Sequence, residues 1–456
     1  MIGGCMMNAI ELQRIIDEIT IPNPKEIRGN ITLVEKAFGA TIAWQSSRPD
    51  VITDQKLDGK KAGVVTRGEQ DCKVTLTAKI SEGKSNETVS FDVIVKKAAS
   101  YIKEDDYAGY LFGHFIGEEN ELSEQIYFAI SEDGLHFKDM NNAKPVLISN
   151  IGECGVRDPY LYRSKEGDRF FLIATDLSIF HRGGWFKNEQ NYYDASTTGS
   201  PYLVVWQSDD LVHWCEPRLI HVAPEHAGMA WAPEMIYHDE TGEYVIFFSS
   251  SIMNPETKYK AKPNAIYYVT TRDFVHFSDT KLFIDNQCDG DPEHKQREII
   301  DTTLLKVGDT YYSASKDGDN EEANGGIRIM KTKNLLNPES WETVLDLDEL
   351  GLNVSDLGID VLDNSTLEGP EFFQFNKRDW RNPDIPEYGL IADQYAIGAG
   401  YLPITITDLE DRKNEKASWK LLSKEEYSFD QLKKRHGTIC RITQSELEYL
   451  KQEIGL

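Results

Sequence analysis

The stretch Gly155-Val156-Arg157-Asp158-Pro159-Tyr160-Leu161-Tyr162 decides how most of this chain folds. Its acidic residue stands at the mouth of a short strand pattern, and a polar turn then leads to the apolar run Phe170–Ala174. The same order of acid, strand, turn and strand recurs in three later stretches: Trp231–Phe248, Ile300–Ser313 and Leu367–Phe373. This recurrence predicts a β unit that is repeated along the chain.

A second repeat marks polar turns within these units. Ser131–Phe137, Ser208–Trp214 and Thr271–Phe277 share the pattern Ser/Thr-x-Asp-x-x-His-Phe/Trp, and looser copies begin at Thr332 and Thr407. Such residues form side-chain-capped turns, and the aromatic residue is placed to pack between neighbouring sheets. Copies at intervals of about 60–80 residues, with four strands each, predict a five-bladed β-propeller over residues 99–456.

The first of these units, residues 107–137, is one strand short. The late stretch Gly437–Thr443 has the apolar pattern of a strand, so we expect it to complete this unit and close the ring. The tail Ser445–Ile454 carries Leu447, Leu450 and Ile454 at helical spacing and predicts a capping helix.

Residues 1–98 have a different character. A short helix is predicted over residues 8–18, and strands follow at Ile31–Leu33, Thr41–Trp44, Val74–Ile80 and Val89–Val95. Together they predict a small β-sandwich without a cluster of chemically active side chains. The stretches Arg28–Leu33 and Trp44–Ile52 resemble bacterial immunoglobulin-like modules, which implies a packing or spacer role. The fold class is therefore all-β, an immunoglobulin-like sandwich followed by a propeller.

Composition limits the classes of partner. The 456 residues carry a formal charge of −27, which argues against nucleic acid and anionic membrane surfaces and fits a neutral substrate. No apolar run reaches the ~18 residues of a membrane span. The first ten residues lack a basic segment and a long apolar core, and the six cysteines are scattered, so we expect reduced thiols and a cytoplasmic location. The oligomeric state is left open.

The acids of the repeated units are the candidate functional residues. Asp158, Glu234, Asp301 and Glu368 lie 67–76 residues apart, and equivalent positions on the inner strands of a propeller converge on its central channel. Clustered carboxylates repel one another, which costs stability unless function or a cation compensates. We therefore expect these four acids to ring one pocket.

Three short motifs resemble the signatures of the glycoside hydrolase family 43 propellers over roughly residues 105–445: Arg157-Asp158-Pro159, Ile300-Asp301 and Glu368-Gly369-Pro370. Trp231-Ala232-Pro233-Glu234 resembles that family's W-A-P-D motif, with Glu in place of Asp. The resemblance implies that Asp158 is the general base, that Asp301 orients the acid and tunes its pKa, and that Glu368 is the general acid. Thr302 after Asp301 is a mild departure.

The implied reaction is hydrolysis of a glycosidic bond with inversion. One carboxyl group protonates the leaving oxygen while another activates water, and a separation of about 6.5–9.5 Å leaves room for that water. The family implies an exo-acting enzyme that releases a pentose, α-L-arabinofuranose first, from small plant-cell-wall oligosaccharides. β-Xylosidase activity is the close alternative.

Other residues are assigned supporting roles. His436 resembles the axial histidine of the family, which faces a metal-bound water network; no cofactor is required, and a structural cation, if bound, is expected to be calcium. Trp231 and Glu234 are expected to line the sugar pocket, and Asp176 and Asp317 to bond sugar hydroxyls. For Asp176 and Asp317 the capping of a turn is an equally good interpretation.

Two further classes of function compete with hydrolysis by inversion. Family 32 fructosidase propellers also carry an Arg-Asp-Pro motif, but their Trp-Met-Asn-Asp-Pro-type nucleophile segment is missing from this sequence. A sugar-binding propeller without catalysis would keep the pocket. Such a protein has no need for acids at Asp158, Asp301 and Glu368, so these residues favour an enzyme.

Overall fold

The computed structural model describes residues 9–184, 195–257, 260–284, 298–317, 326–352 and 366–456. Strands dominate these ranges, as the repeats predict, and the longest helices have ten residues. No helix within the described ranges is long and apolar enough to cross a bilayer. The four cysteines that lie in them, Cys72, Cys154, Cys215 and Cys440, carry free thiols.

The N-terminal region forms one helix and one antiparallel sheet in the described residues. Helix α1 (Ala9–Glu18) precedes strands in the spatial order β1 (Lys36–Ala37), β2 (Ala40–Ser46), β3 (Cys72–Glu82) and β4 (Ser85–Val95). The strand expected at Ile31–Leu33 is wrong: both apolar side chains are buried, but the backbone is irregular. A second sheet, which the sandwich requires, is reduced to isolated bridges such as Ile52↔Val65.

Residues 107–443 form five antiparallel sheets of four strands in the described part of the chain. One sheet combines β5 (Tyr107–Phe115), β6 (Tyr127–Ser131) and β7 (Lys138–Asp139) with β24 (Arg435–Thr443). The other four are continuous in sequence: β8 (Val156–Arg163), β9 (Phe170–Asp176), β10 (Tyr202–Ser208) and β11 (Arg218–His221); β12 (Trp231–His238), β13 (Glu243–Met253), β14 (Lys260–Thr271) and β15 (Lys281–Ile284); β16 (Ile299–Val307), β17 (Thr310–Asp317), β18 (Ile327–Thr332) and β19 (Glu342–Asp346); β20 (Glu368–Gln374), β21 (Tyr388–Asp393), β22 (Tyr401–Ile406) and β23 (Trp419–Leu421).

The first strands of these sheets form a closed circle. β8, β12, β16, β20 and β24 contact one another in that order, and β24 contacts β8 again. The circle closes because β24 pairs with β5, with Ile439 opposite Phe112 and Arg435 opposite Phe115. The expected late strand is thus confirmed. Helix α2 (Gln444–Glu453) follows β24, begins with a Thr443/Glu446 capping box and packs on β5, as predicted for the tail.

Each of the five inner strands has a register shift at the same level, as a β-bulge produces. In four of them one residue has positive φ, between 46° and 52°: Asp158, Ala232, Asp301 and Gly369. His436 takes the corresponding place on β24. The expectation that all four acids are equivalent is therefore wrong. Asp158 and Asp301 are themselves the positive-φ residues of their bulges. Glu368 lies one residue before the positive-φ residue of its strand, Gly369, and Glu234 lies two residues after that of its strand, Ala232.

The polar turns have the expected capped form. In the first copy, Oγ of Ser131 accepts the N–H of Gly134, while Oδ1 of Asp133 accepts the N–H groups of Leu135 and His136. The copies around Asp210 and Asp273 repeat this pattern. Phe137, which follows the first turn, is buried among aromatic residues of two neighbouring sheets, so the turn also fixes the packing between them.

The N-terminal region docks at the end of the sheets that lies opposite to the acids. The guanidinium of Arg67 donates to both oxygens of Asp168, at 2.6 and 3.2 Å, in the turn between β8 and β9. Arg272, which follows β14 and is 7% exposed, donates to the carbonyl of Ala62 at 2.6 Å. Because Asp158 stands at the start of β8, these contacts hold the N-terminal region against the end of the sheets that is far from the acids.

Candidate active site

Asp158 lies in the bulge of β8 with its carboxyl group between Thr175 and His436. Oγ1 of Thr175 donates to Oδ2 of Asp158 at 2.8 Å, and Nδ1 of His436 is 3.4 Å from Oδ1. Burial raises the pKa of this carboxyl, but the hydrogen bond and charge of His436, with a contribution from Arg157, outweigh it and hold the pKa below its usual range. Asp158 is therefore ionised near neutral pH.

Glu368 has the opposite charge state. Burial, followed by the negative charges of Asp301 and Asp393, raises its pKa to about 7, although Arg435 opposes the shift. Nη2 of Arg435 donates to Oε1 of Glu368 at 3.1 Å, and its Nε donates to Oδ2 of Asp393. Glu368 keeps 26% of its side chain exposed, so it is placed to meet a ligand while it still carries a proton near neutral pH.

Asp301 connects the two other acids. Its Oδ2 accepts the N–H of Gly369, the residue after Glu368, at 3.2 Å, and its own N–H donates to Oγ of Ser249 at 3.1 Å. Burial raises the pKa of Asp301, and the charge of Asp158 adds to the shift although His436 opposes it. The bond to Gly369 fixes the backbone that carries Glu368. This geometry fits the orienting role that the resemblance implies.

His436 is surrounded by carboxyl groups. Burial opposes its charge, but Asp158, Asp301 and Glu371 together raise its pKa to about 9, so the imidazole is protonated near neutral pH. Both nitrogens then donate, and neither offers a lone pair to a metal ion or to a donated water hydrogen. The described residues also contain no group of three or more His, Cys, Asp or Glu side chains that could hold a metal. A structural calcium held through water beside His436 stays a prediction.

Sequence reasoning missed a buried carboxylate, Glu124, that supports the base. Its oxygens accept from Nη1 of Arg157 at 2.9 Å, from Oγ of Ser178 at 2.7 Å and from the backbone N–H groups of Ile179 and Phe180. Arg157 also stacks on Phe115, 4.5 Å from the ring centroid. Glu124 therefore ties the residue before Asp158 to the loop after β9. Its signal in the sequence is one acid within the apolar pattern Ser123–Ile130.

The other predicted site residues are placed less directly. Trp231 packs against Leu177 and Ile179, and a sugar-stacking role for it stays a prediction. Asp176 accepts from the N–H of Glu153 at 2.8 Å and from Oγ of Ser200 at 2.6 Å, so both of its oxygens hold loops. Asp317 forms an ion pair with Arg328 at 2.9 Å. Both aspartates thus join separate segments of the chain, and the bonds to sugar hydroxyls expected of them stay a prediction.

Glu234 has a partner that the sequence reasoning did not consider, Glu371. Both lie two residues beyond the bulge of their strands, and they are 3% and 2% exposed. Oε2 of Glu234 accepts the N–H of Leu304, and Oε2 of Glu371 accepts Oγ1 of Thr303, both at 3.3 Å. Burial, and after it the negative charge of Glu371, raises the pKa of Glu234 well above its usual range, so the two carboxyl groups together keep a proton near neutral pH. Glu234 is therefore buried in a second layer rather than in the ring with Asp158.

Comparison with known proteins agrees with these motifs. A family model described as "Probable glycosyl hydrolase domain", related to family 43, matches residues 105–448. The chain belongs to this glycosyl hydrolase family. Membership confirms the resemblance to family 43 and, with it, the class of enzyme expected from Asp158, Asp301 and Glu368. A second model, an atrophied bacterial immunoglobulin domain, matches residues 16–98. The description as atrophied agrees with the reduced second sheet of this region.

Three individual proteins illustrate what the chain is similar to. An α-L-arabinofuranosidase of Bifidobacterium longum is 30% identical over 434 residues, which cover 86% of this chain but 38% of that protein. An α-L-arabinofuranosidase structure from Lactobacillus brevis shows 15% identity and a TM-score of 0.38, with 66% of this chain and 92% of that chain covered. An endo-1,4-β-xylanase structure from Bacteroides thetaiotaomicron shows 13% identity and a TM-score of 0.43, with 72% and 92% covered.

The paired carboxyl groups predict how stability depends on pH. Burial raises the pKa of Glu371 from 4.5 to about 8, so the folded protein keeps a proton that the unfolded chain releases near pH 4.5. The free energy of unfolding that this group contributes must fall as pH rises between these values, by at least ~2 kcal/mol. Glu371→Gln removes this titration. The melting temperature of the variant minus that of the wild type should therefore increase from pH 5 to pH 8.5.

Glu342→Gln, at an exposed position, is the control and should follow the wild type at every pH. Differential scanning calorimetry over this range measures both variants. A difference between Glu371→Gln and wild type that stays constant with pH would show that the two buried glutamates do not share a proton.

Proposed function

We propose that this chain is an inverting, exo-acting glycoside hydrolase that releases a pentose, α-L-arabinofuranose first, from plant-cell-wall oligosaccharides. The observation that carries the proposal is the opposite charge state of two acids on different inner strands. Asp158 on β8 is ionised because of His436, and Glu368 on β20 keeps its proton to about pH 7. We also infer that the five sheets are the blades of a propeller, which places these strands around one channel.

Asp158 acts as the general base in this proposal. A water between the sugar and Asp158 loses its proton to the carboxylate as its oxygen attacks the anomeric carbon. The His436 imidazolium and Oγ1 of Thr175 hold the carboxylate in one orientation, 3.4 and 2.8 Å from its oxygens. A base fixed in this way needs no reorganisation when the water arrives.

Glu368 acts as the general acid. It gives its proton to the leaving glycosidic oxygen while the bond to the anomeric carbon breaks, and Arg435, 3.1 Å away, stabilises the carboxylate that results. Asp301 holds the backbone after Glu368 and raises the pKa of the acid by its negative charge. Burial and charge thus separate two carboxyl groups into base and acid, as hydrolysis with inversion requires.

The choice of sugar rests on the relative named α-L-arabinofuranosidase, of whose length this chain spans 38%. Release of sugar from an aryl α-L-arabinofuranoside and an aryl β-D-xyloside is the direct test, and we expect faster release from the arabinoside. Proton NMR of fresh product should show the anomeric configuration opposite to that of the substrate, because water attacks from the face of Asp158. Retained configuration would contradict the roles given to Asp158 and Glu368.

A substitution of Glu368 distinguishes proton donation to the leaving group from a role in substrate binding. Glu368→Ala should lower kcat/KM at least about 100-fold on an arabino-oligosaccharide, whose leaving oxygen needs a proton, and less than about tenfold on a dinitrophenyl arabinoside, which needs none. Glu410→Ala, at an exposed carboxylate between β22 and β23, is the control and should leave both rates unchanged. Equal losses of Glu368→Ala on both substrates would remove Glu368 from the role of acid.

A further inference from the structure

The fully buried carboxylate of Asp393 lies directly beside the proposed acid. Asp393 is the last residue of β21 and pairs in register with Glu368 on β20. Its Oδ2 accepts from Nε of Arg435, and its Oδ1 has no hydrogen-bond partner among the residues that the structure describes. A buried carboxylate with an unpartnered oxygen costs stability. This cost indicates a functional reason for an acid at this position.

The guanidinium of Arg435 is shared between Asp393 and the proposed acid. Nε and Nη2 lie on the same edge of an arginine side chain, and this edge can bind both oxygens of one carboxylate with two parallel hydrogen bonds. In Arg435 the two donors go to different carboxylates, because Nε donates to Asp393 and Nη2 donates to Oε1 of Glu368 at 3.1 Å. Nη1, on the other edge, is 3.9 Å from Oε2 of Glu118. Glu368 therefore receives one hydrogen bond from this arginine instead of two.

Arg435 is held in place independently of Glu368. It pairs in register with Phe115 of β5, and its guanidinium carbon lies 5.7 Å from the ring centroid of this buried phenylalanine. A cation over an aromatic ring is attracted by the π electrons. With Phe115 beside the guanidinium and Asp393 at Nε, the edge that carries Nη2 keeps one orientation towards Glu368.

The number of donors to Glu368 decides its charge state. A hydrogen bond to an ionised carboxyl group lowers its pKa, and a bidentate arginine lowers it further. The charged groups that act most on Glu368 come from four neighbouring strands: Asp301 and Asp393 raise its pKa, and Arg435 and Arg157 lower it. Asp393 therefore opposes Arg435 in two ways, by its own negative charge and by the donor that it takes.

We propose that Asp393 is a positioning residue of the reaction, which holds Nε of Arg435 so that a single guanidinium N–H reaches Glu368. The inference rests on the proposed function, in which Glu368 gives its proton to the leaving oxygen. Arg435 then stabilises the carboxylate after the proton transfer but does not ionise the acid before it. Asp393 touches no reacting atom and acts only through Arg435 and its own charge.

The readout of the test is kcat/KM on an arabino-oligosaccharide at pH 5 divided by kcat/KM at pH 7. With a pKa of about 7 for Glu368, half of the acid has lost its proton at pH 7, so the wild-type ratio should be roughly 2. Asp393→Ala frees Nε for a second bond to Glu368 and should raise the ratio about fivefold, as a pKa lower by about one unit gives. Asp393→Val removes the same acceptor and should give the same rise, so the test does not depend on the folding of one variant.

Two further variants separate the hydrogen bond from other effects. Asp393→Asn keeps an oxygen that accepts from Nε and loses only the charge, so it should raise the ratio less than Asp393→Ala does. Glu387→Gln is the matched control, because Glu387 is a buried carboxylate at the other end of β21 that pairs with Arg381 at 2.6 Å. This control should keep the wild-type ratio. On a dinitrophenyl arabinoside, whose leaving group needs no proton, no variant should change the ratio.

The outcomes separate this inference from the proposed function. A wild-type ratio of roughly 2 that Asp393→Ala and Asp393→Val leave unchanged would overturn the role of Asp393 and leave the hydrolase standing. A rise with Asp393→Asn as large as with Asp393→Ala would also overturn it, because the charge alone would then act on the acid. A wild-type enzyme that cleaves no glycoside would overturn the proposed function and this inference together.

Discussion

The pairing of β24 with β5 is the interaction on which the site depends. It joins strands separated by more than 300 residues of sequence, and it completes a sheet that residues 107–139 leave one strand short. It also delivers Arg435 and His436, adjacent residues of β24, to Glu368 and Asp158. Without this closing strand, both carboxyl groups would lose the cation that faces them.

Asp158 and Glu368 each face a cation, yet their pKa values shift in opposite directions because the groups around each pair differ. His436 lies between Asp158 and Asp301 and, charged itself, keeps Asp158 ionised. Arg435 divides its donors between Glu368 and the fully buried Asp393, so burial and the negative charges around Glu368 outweigh it and raise the pKa of Glu368 to about 7. Beneath them, Glu234 and Glu371 share a proton, which limits the negative charge in the circle of strands.

The sequence predicts the sheets and the motif residues but not the level at which the acids lie. The closing strand and the last helix follow from an incomplete repeat and an apolar spacing, both of which are local patterns. The register of the acids depends on bulges, which insert a residue and turn the neighbouring side chains to other levels. An alignment on Pro159, Pro233 and Pro370 would have shown Glu371 as the equivalent of Glu234.

The sequence does not predict the side-chain contacts between different sheets, and the reason is a different one. Arg435 to Glu368 and Lys316 to Tyr395 join residues from separate repeats, and neither pair leaves a spacing or a composition that a single sequence reveals. The sequence predicts a strand at Ile31–Leu33 that the structure does not form. Ile31 and Leu33 are buried as strand residues would be, but their backbone is irregular. Burial pattern alone does not determine hydrogen bonding.

The central claim is that Glu368 is protonated below about pH 7 while Asp158 is ionised. The pH dependence of kcat/KM for the wild-type enzyme tests it most directly, because this parameter reports the pKa values of the free enzyme. On an arabino-oligosaccharide, kcat/KM should fall as pH rises through about 7, the pKa of Glu368. On a dinitrophenyl arabinoside the fall at this pH should be absent. An oligosaccharide profile that stays flat to pH 9 would contradict the account.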